Sequence, residues 1–526
     1  MTRLLFLSLL ELAKVFGDYD KTTTPGCAIS IVQKSQVLQE AAFGMASLEL
    51  HVRNSPDTVF HAGSIAKQFT AMAILLLEKD GKVSLADSIR KYVPELPAYA
   101  QAVTLEQLLH HTSGVRDAGE LLWMAGGKDD ARVTDKVVLD LLARQRALNF
   151  VPGTRFSYSN SGYMLLALVV QRAGGASLRD FAASRIFAPL GMTRTQFRDD
   201  YGSIIDGRAT GYRPQPGGGW RLGVYLADTY GDGGLFTTVA DLQKWQANFD
   251  APVVGNGTIV RTLQTEGVLR SGEKTGWGMG LRVADRTIGH EGRDFGYQSD
   301  LVRFPASGLS IVTLCNARDI DAYTLARQVA AIVDPPPPAP PLPAAGATGE
   351  TPAPQQVDVK DVGRFAGTYW NPVTLAVRRV EVRDGKPVWA RGSGTELIPI
   401  GDARFQLGAQ PTEIVFDGEG LRVLSSGRPA ASYRRVQPFP AASLAQYAGT
   451  YESDEVGATY TITGSADGLA FRSGPMFGFD ARPVFADTFE IAEGMVIQFA
   501  LDARGRVKGF AISTDRARDV QFARRP

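Results

Sequence analysis

At 526 residues the chain is too long for one ordinary domain, and 44% hydrophobic with 21% charged residues suits a globular protein with a large core. Lys+Arg 56 against Asp+Glu 55 leaves a net charge of +1 without a basic or acidic block, which argues against a general nucleic-acid or anionic-membrane binder. No apolar run approaches the roughly 20 residues of a membrane span, and two cysteines without a CxxC exclude both a disulfide framework and a thiolate zinc site.

In chain order, Arg3 and the leucines of LLFLSLL (4–10) hint at a signal-peptide core. Glu11 and Lys14 interrupt it at once and no small-x-small cleavage site follows, so the segment reads as an amphipathic helix. Gly26–Val32 (GCAISIV) is an apolar, β-branched run of strand length. Phe60–Leu77 (FHAGSIAKQFTAMAILLL) carries Ser64 and Lys67 as an SxxK motif at the start of a predicted helix. Residues i and i+3 share a helix face, so the lysine amine reaches the serine hydroxyl, a weak nucleophile that needs a neighbouring proton acceptor. An ammonium near other cations or partly desolvated has a lowered pKa and can serve. Phe69, Met72, Ala73 and Leu76 follow at i, i+3, i+4 and i+7, which predicts that this helix is buried and the position of the pair fixed.

Tyr158-Ser159-Asn160 precedes a helical pattern over Ser161–Arg172, and His290-Glu291-Gly292 precedes an apolar strand over Leu309–Leu314. Few strands and many helices predict an α+β domain over residues 1–333. Each motif has a decoy: Ser88–Lys91 and Ser271–Lys274 also read SxxK, Tyr369-Trp370-Asn371 reads YxN, and His61-Ala62-Gly63 reads HxG. The ordered set within one domain carries the signal. No HExxH, phosphate-binding GxxxxGK[ST] or dinucleotide fingerprint is present, so neither a metal nor a cofactor is expected.

Residues 334–357 hold nine prolines within 335–354, a density that favours extended conformations and marks a linker. Beyond it, alternating segments such as TLAVRRVEVR (374–383) and ATYTITG (458–464) lie between DG and EG turns. Phe365-Ala366-Gly367-Thr368-Tyr369 recurs as Tyr447-Ala448-Gly449-Thr450-Tyr451, and both units close on an aromatic-plus-arginine tail, SYRRVQP and QFARRP. Two antiparallel β-barrels, 358–438 and 439–526, are expected, because closure removes exposed edges in such small units.

The ordered motifs, with LLHHTSGV (108–115), FSYSNSGYMLLALVV (156–170), GDGGLFTTVADL (231–242) and HEGRDFGYQSDL (290–301), resemble the serine β-lactamase and penicillin-binding superfamily, in its class C-like branch. The likeness covers roughly residues 20–333. It implies a fold class: an α+β, β-lactamase-like catalytic domain with an antiparallel sheet and helices, followed by two lipocalin-like barrels. It also implies roles. Ser64 is the acylated nucleophile and Lys67 its partner; Tyr158 is the general base, as phenolate or through a proton shared with Lys67, and later the acid; Asn160 holds Lys67 and the substrate amide. His290 stands where β-lactamases of the family carry the lysine of KTG. Gly292 admits a close strand approach, and the backbone N–H groups of Ser64 and Arg293 form the oxyanion hole. The Arg293 side chain either reads a substrate carboxylate or points to solvent.

One lactamase-like domain with two barrels is similar to the architecture of bacterial D-aminopeptidases, in which a loop of the last barrel presents an acid to the substrate ammonium. The comparable stretch is Ser473–Phe485, whose single acid, Asp480, either takes that role or caps a turn. A narrower similarity is to the linearised-microcystin peptidases of bacterial toxin-degradation pathways. The family places the strands of Cys27 and Cys315 side by side, which leaves a bridge open, although two small buried thiols are the expectation.

The expected reaction is hydrolysis of a short peptide containing D- or non-protein residues, through a Ser64 acyl-enzyme. A promiscuous esterase or weak β-lactamase, or a non-catalytic penicillin-binding or ligand-carrying protein, are the competing readings. The expected partners are a short peptide or small amide or ester, no nucleic acid and no membrane span, with a homodimer as the assembly to test. A cytoplasmic location is favoured, and a periplasmic one stays open if the chain begins upstream.

Overall fold

The computed structural model describes residues 9–127, 132–224, 226–284, 286–335, 362–390, 394–408, 412–425, 428–437, 439, 441–465, 467–492 and 494–526. The proline-rich linker from Pro336 onward and the first leucines of the N-terminal segment lie outside them. The chain divides into two compact units, one carrying the SxxK, YxN and HxG motifs and the other both barrels together with Glu120–Gly127.

The first unit is built on a six-stranded antiparallel sheet in the order Arg282–Val283, Ile288–Asp294, Tyr297–Phe304, Leu309–Cys315, Cys27–Gln33, Gln36–Phe43. The first and last stretches of the unit thus pair at its centre, Cys27 opposite Cys315 and Gln33 opposite Leu309. Leu309–Cys315 is buried along its whole length, as a strand covered on both faces must be. Helices Leu9–Phe16 and Ala322–Val333 supply one cover, with Leu12 and Phe16 fully enclosed among Ile29, Ile31 and Val329. On the other side Gln243, on helix Val239–Asp250, donates to the Ser30 carbonyl at 2.9 Å.

One expectation is corrected. Cys27 and Cys315 are joined by a disulfide rather than remaining two thiols, because directly opposed residues of adjacent antiparallel strands bring their Cβ atoms within bridging reach. Helix Ala66–Lys79 is buried, as its apolar spacing predicts: every residue from Ala66 to Leu77 is enclosed, Lys67 and Gln68 included. A helix enclosed on all sides must answer its polar side chains internally. Gln68 accordingly accepts from Trp245 Nε1 at 2.7 Å.

In the second unit two closed eight-stranded barrels run from Gly367–Asn371 to Arg428–Val436 and from Gly449–Ser453 to Val520–Arg524. The sequence repeat has a physical meaning. Tyr369 Oη donates to Phe365 O and Tyr451 Oη to Tyr447 O, both at 2.8 Å, and the tail arginines Arg435 and Arg524 cap Ala366 O and Ala448 O. The same tyrosine and arginine stand opposite each other where the first and last strands of each barrel pair. Their interiors are filled by rings: Phe365, Phe405 and Phe416 in one, Tyr451, Phe499 and Phe510 in the other. In the same unit Trp123 stacks on Phe479 with ring centroids 5.1 Å apart, and Tyr460 Oη donates to Met124 O at 3.0 Å. A short segment from the middle of the first expected domain therefore packs with the barrels.

Candidate active site

Ser64 occupies the 3-10 turn Gly63–Ile65 that feeds helix Ala66–Lys79. Gly63 has φ +53°, and a Cβ there would lie 2.9 Å from Arg293 N and 3.0 Å from Gly292 Cα. Only glycine lets the nucleophile turn approach the strand Ile288–Asp294 this closely. Gly292 reciprocates: a Cβ on it would lie 2.1 Å from Ala62 O and 2.2 Å from Ser299 Oγ. These contacts put the N–H groups that flank Ser64 and Arg293 into one neighbourhood. The Arg293 side chain itself is exposed, and its charge helps hold the Asp321 carboxyl below its ordinary pKa.

Lys67 is fully buried and its Nζ has three acceptors: Asp232 O at 2.7 Å, Asn160 Oδ1 at 2.9 Å and Ser64 Oγ at 3.1 Å. The first two can only accept, so they hold two of the nitrogen's substituent positions as N–H. The third position faces Ser64 Oγ, which both accepts and donates. The ammonium donates there; the neutral amine offers its lone pair to the serine proton without moving. Of the two settings expected for Lys67, nearby cations or desolvation, the structure shows desolvation. Its charge is felt by Asp232 and Asp294, and Asp232 is pushed up to about 6 by burial, against the pull of Lys67 and with Asp117 and Asp294 adding to the rise.

Asn160 opens helix Asn160–Gly174, whose N-cap Ser159 accepts from Gly162 N. Its own N–H donates to Asp117 Oδ2 at 2.7 Å, so a buried carboxylate pins the helix start and with it the amide that holds Lys67. Tyr158 lies against this group, its ring centroid 4.9 Å from Lys67 Nζ and its Oη 3.4 Å from His290 Nε2. His290 Nδ1 donates to Glu291 O at 2.5 Å. Burial first, and then the charge of Lys67, hold this imidazole far below its ordinary pKa, at about 3. His290 is therefore neutral, with Nε2 free of a proton and turned to the Tyr158 hydroxyl. His111 stacks on Tyr158 at 4.3 Å and accepts from Ser159 N at 3.1 Å, and Trp277 packs 5.5 Å from Tyr158 and 5.1 Å from His290.

The fold thus brings together Ser64, Lys67, Tyr158, Asn160 and His290, with Gly292 and Arg293 beside them. Asp480 lies in the other unit, mid-strand in Phe477–Phe485, its carboxylate 3.0 Å from Arg472 Nη2. The protruding loop expected at Ser473–Phe485 is instead a hairpin in which Asp480 pairs with Ala470. The decoys are local structure. Ser88 caps a short helix by accepting from Arg90 N, Lys91 pairs with Asp87, Lys274 pairs with Glu266, and Asn371 caps the turn at Val373. One decoy is more than that. His61 is buried against the site, its Nε2 accepting from Gly234 N at 3.2 Å and its Nδ1 3.1 Å from Asp294 Oδ2. Sequence reasoning missed Asp117, His111, Asp232 and Trp277; only the HH and GDGG of the quoted segments pointed near them.

Among the described residues no helix is long and apolar enough to cross a membrane, and no group of three or more His, Cys, Asp or Glu could hold a metal ion. Residues 433–524 match the family model described as Domain of unknown function (DUF3471). The chain is 24% identical to the D-aminopeptidase of Brucella canis over 525 residues, covering 95% of this chain and 96% of that one, with the same identity to the D-aminopeptidase of Brucella anthropi. Among solved structures, the octameric penicillin-binding protein homologue from Pyrococcus abyssi covers 90% of this chain and 99% of its own at TM-score 0.56 and 21% identity. The D-amino acid amidase from Ochrobactrum anthropi covers 62% and 96% at TM-score 0.51 and 21% identity. These two similarities concern the fold. Residues 12–334, the span that folds Ser64, Lys67, Tyr158 and His290 around one alcohol, match the model described as Beta-lactamase, and the chain belongs to that family.

Proposed function

We propose that the protein is a serine hydrolase that cleaves short amides and peptides containing D-residues through an acyl-enzyme on Ser64. The observation that carries this reading is the Lys67 amine, with two positions tied to obligate acceptors and the third aimed at Ser64 Oγ. In the reactive state Lys67 and Tyr158 share one proton fewer than ammonium plus phenol. Ser64 Oγ attacks the substrate carbonyl and its proton passes to Lys67 or Tyr158. The developing oxyanion is met by the N–H groups of Ser64 and Arg293, and the same proton then goes to the leaving nitrogen from Tyr158. Water repeats the sequence on the ester, returning the carboxylic acid and the serine hydroxyl.

Full-length similarity to D-aminopeptidases of Brucella supports amides of D-amino acids as the substrate class. The neutral His290 supports a peptidase or esterase over an efficient β-lactamase, since no cation stands there for a lactam carboxylate. Ring-filled barrels favour catalysis over ligand carriage.

The test uses D-Ala-p-nitroanilide, its L-enantiomer, an N-acylated analogue, a linear D-residue heptapeptide and p-nitrophenyl acetate. Ser64→Ala is expected to lose turnover of the D-anilide by orders of magnitude, and Ser271→Ala to keep it. Near-normal turnover by Ser64→Ala would end the assignment, and preference for the acetate over every amide would favour the esterase.

A further inference from the structure

Beside the catalytic group the first unit contains a cavity of about 220 Å³ that the reaction above does not use. One water needs only about 10–15 Å³ of such space, so the cavity has room for a glutamate-sized side chain. Arg198 and Arg208 both line it. Arg198 is only 9% exposed, and its guanidinium lies over the Phe236 ring at 5.0 Å. Three large side chains stand exposed on the cavity wall, Tyr201 at 38%, Leu222 at 49% and Val224 at 43%. The cavity therefore combines two cations with an apolar wall.

Its one lining carboxylate, Asp294, is already engaged by Phe295 N at 2.7 Å and by His61 Nδ1 at 3.1 Å. The cationic field is felt within the cavity. Burial first, and next the charge of Arg208, hold Arg198 below its ordinary pKa, and both arginines add to burial in keeping His61 neutral. Two like charges facing one partly desolvated space repel, and an anion entering between them relieves that repulsion.

The cavity is tied to the catalytic centre by backbone. Arg198 N donates to Gly234 O at 2.8 Å, and Gly234 N donates to His61 Nε2. Two residues earlier on that segment Asp232 O holds Lys67, and Asp294 directly follows the oxyanion-hole residue Arg293.

We propose that this cavity is a carboxylate-binding site that takes an acidic group on a short apolar arm, carried by the acyl part of the amide substrate. It rests on the hydrolase reading and deepens it by giving the substrate a charge. Arginine suits this role because its planar fork meets both oxygens of a carboxylate.

The experiment compares kcat/KM for D-Glu-p-nitroanilide and D-Gln-p-nitroanilide in the wild-type protein, Arg208→Gln and Arg208→Glu, with free glutarate as a competitor. The exposed Arg208 is chosen so that its replacement does not compromise folding. The acidic substrate is expected to be favoured about tenfold, the worth of one charge-assisted hydrogen bond. That ratio falls to about one in Arg208→Gln and below one in Arg208→Glu. Glutarate that modulates D-Gln-p-nitroanilide turnover in the wild type and not in Arg208→Gln, without an acidic-substrate preference, assigns the same site to a free carboxylate. A wild-type ratio near one with no glutarate effect, or a ratio unchanged by both substitutions, overturns the proposal. Turnover of D-Gln-p-nitroanilide by the wild type reports on the hydrolase reading separately.

Discussion

Lys67→Met isolates the group on which the chemistry turns, because methionine keeps the buried volume and removes the amine. Its effect on activity follows from the three contacts at 2.7, 2.9 and 3.1 Å. Without the amine beside Ser64, Tyr158 has no partner with which to share the proton and general-base assistance falls, by about 10²–10⁴ in rate, or roughly 3–5 kcal/mol of barrier. Stability is another matter. Asn160 Oδ1 and Asp232 O lose their donor at about 1–3 kcal/mol each, while removing a buried ammonium recovers several kcal/mol. The net change at pH 6 is expected within about 2 kcal/mol of zero. Asp232 then supplies a signature. Its carboxyl already titrates near 6 with Lys67 pulling it down, and removing that cation raises it further. A carboxyl whose folded pKa exceeds its unfolded one is stabilising at low pH and costs stability as pH rises through the folded value. The variant should therefore lose stability relative to wild type between pH 6 and pH 8, and adding Asp232→Asn should abolish that slope. Urea unfolding at the two pH values and kcat/KM on D-Ala-p-nitroanilide measure both arms. Retention of more than about a tenth of the activity, or a stability difference independent of pH, refutes the reasoning.

The remaining predictions are narrower. His290 titrates near 3 in the fold against about 6.5 unfolded, so wild-type stability is complete above pH 6.5 and erodes as pH falls, by about 2 kcal/mol at pH 5; His290→Gln should gain that amount relative to wild type between pH 7.5 and pH 5, and an unchanged difference in urea unfolding excludes a neutral His290. Thiol titration of the denatured, unreduced protein should find none, and Cys27→Ala with Cys315→Ala should cost about 2–4 kcal/mol; two free thiols would contradict the bridge. Gly292→Ala places a Cβ 2.1 Å from Ala62 O, so the strand must withdraw from the nucleophile turn and kcat should fall about 10²–10³ with KM little changed; wild-type kcat would show that the close approach is not needed.

How far the sequence could be read differs with the range of the interaction. The barrels were legible because alternation, turns and the FAGTY/YAGTY repeat are local, and each repeat unit carries its own closing tyrosine bond. Ser64 and Lys67 were legible because i and i+3 share a helix face whatever surrounds them. The disulfide was misjudged because composition says how often cysteines are buried and nothing about register, and register alone sets Cys27 opposite Cys315.

The surroundings of Lys67 show where such reading stops. Apolar residues at helical spacing announce that this helix is buried, but not which segments must then meet the charge of its lysine. One acceptor, Asn160, has a side chain and a motif to announce it. The other is the backbone carbonyl of Asp232, which any residue could offer and which no residue pattern marks. The same holds for Asp117, which acts by receiving a helix N–H, and for His61, which receives one from Gly234. Groups that react declare themselves by type, and groups that hold them in place do so through backbone atoms. The geometry that lets a neutral amine face Ser64 is therefore set mainly by residues that the reaction itself would never have singled out.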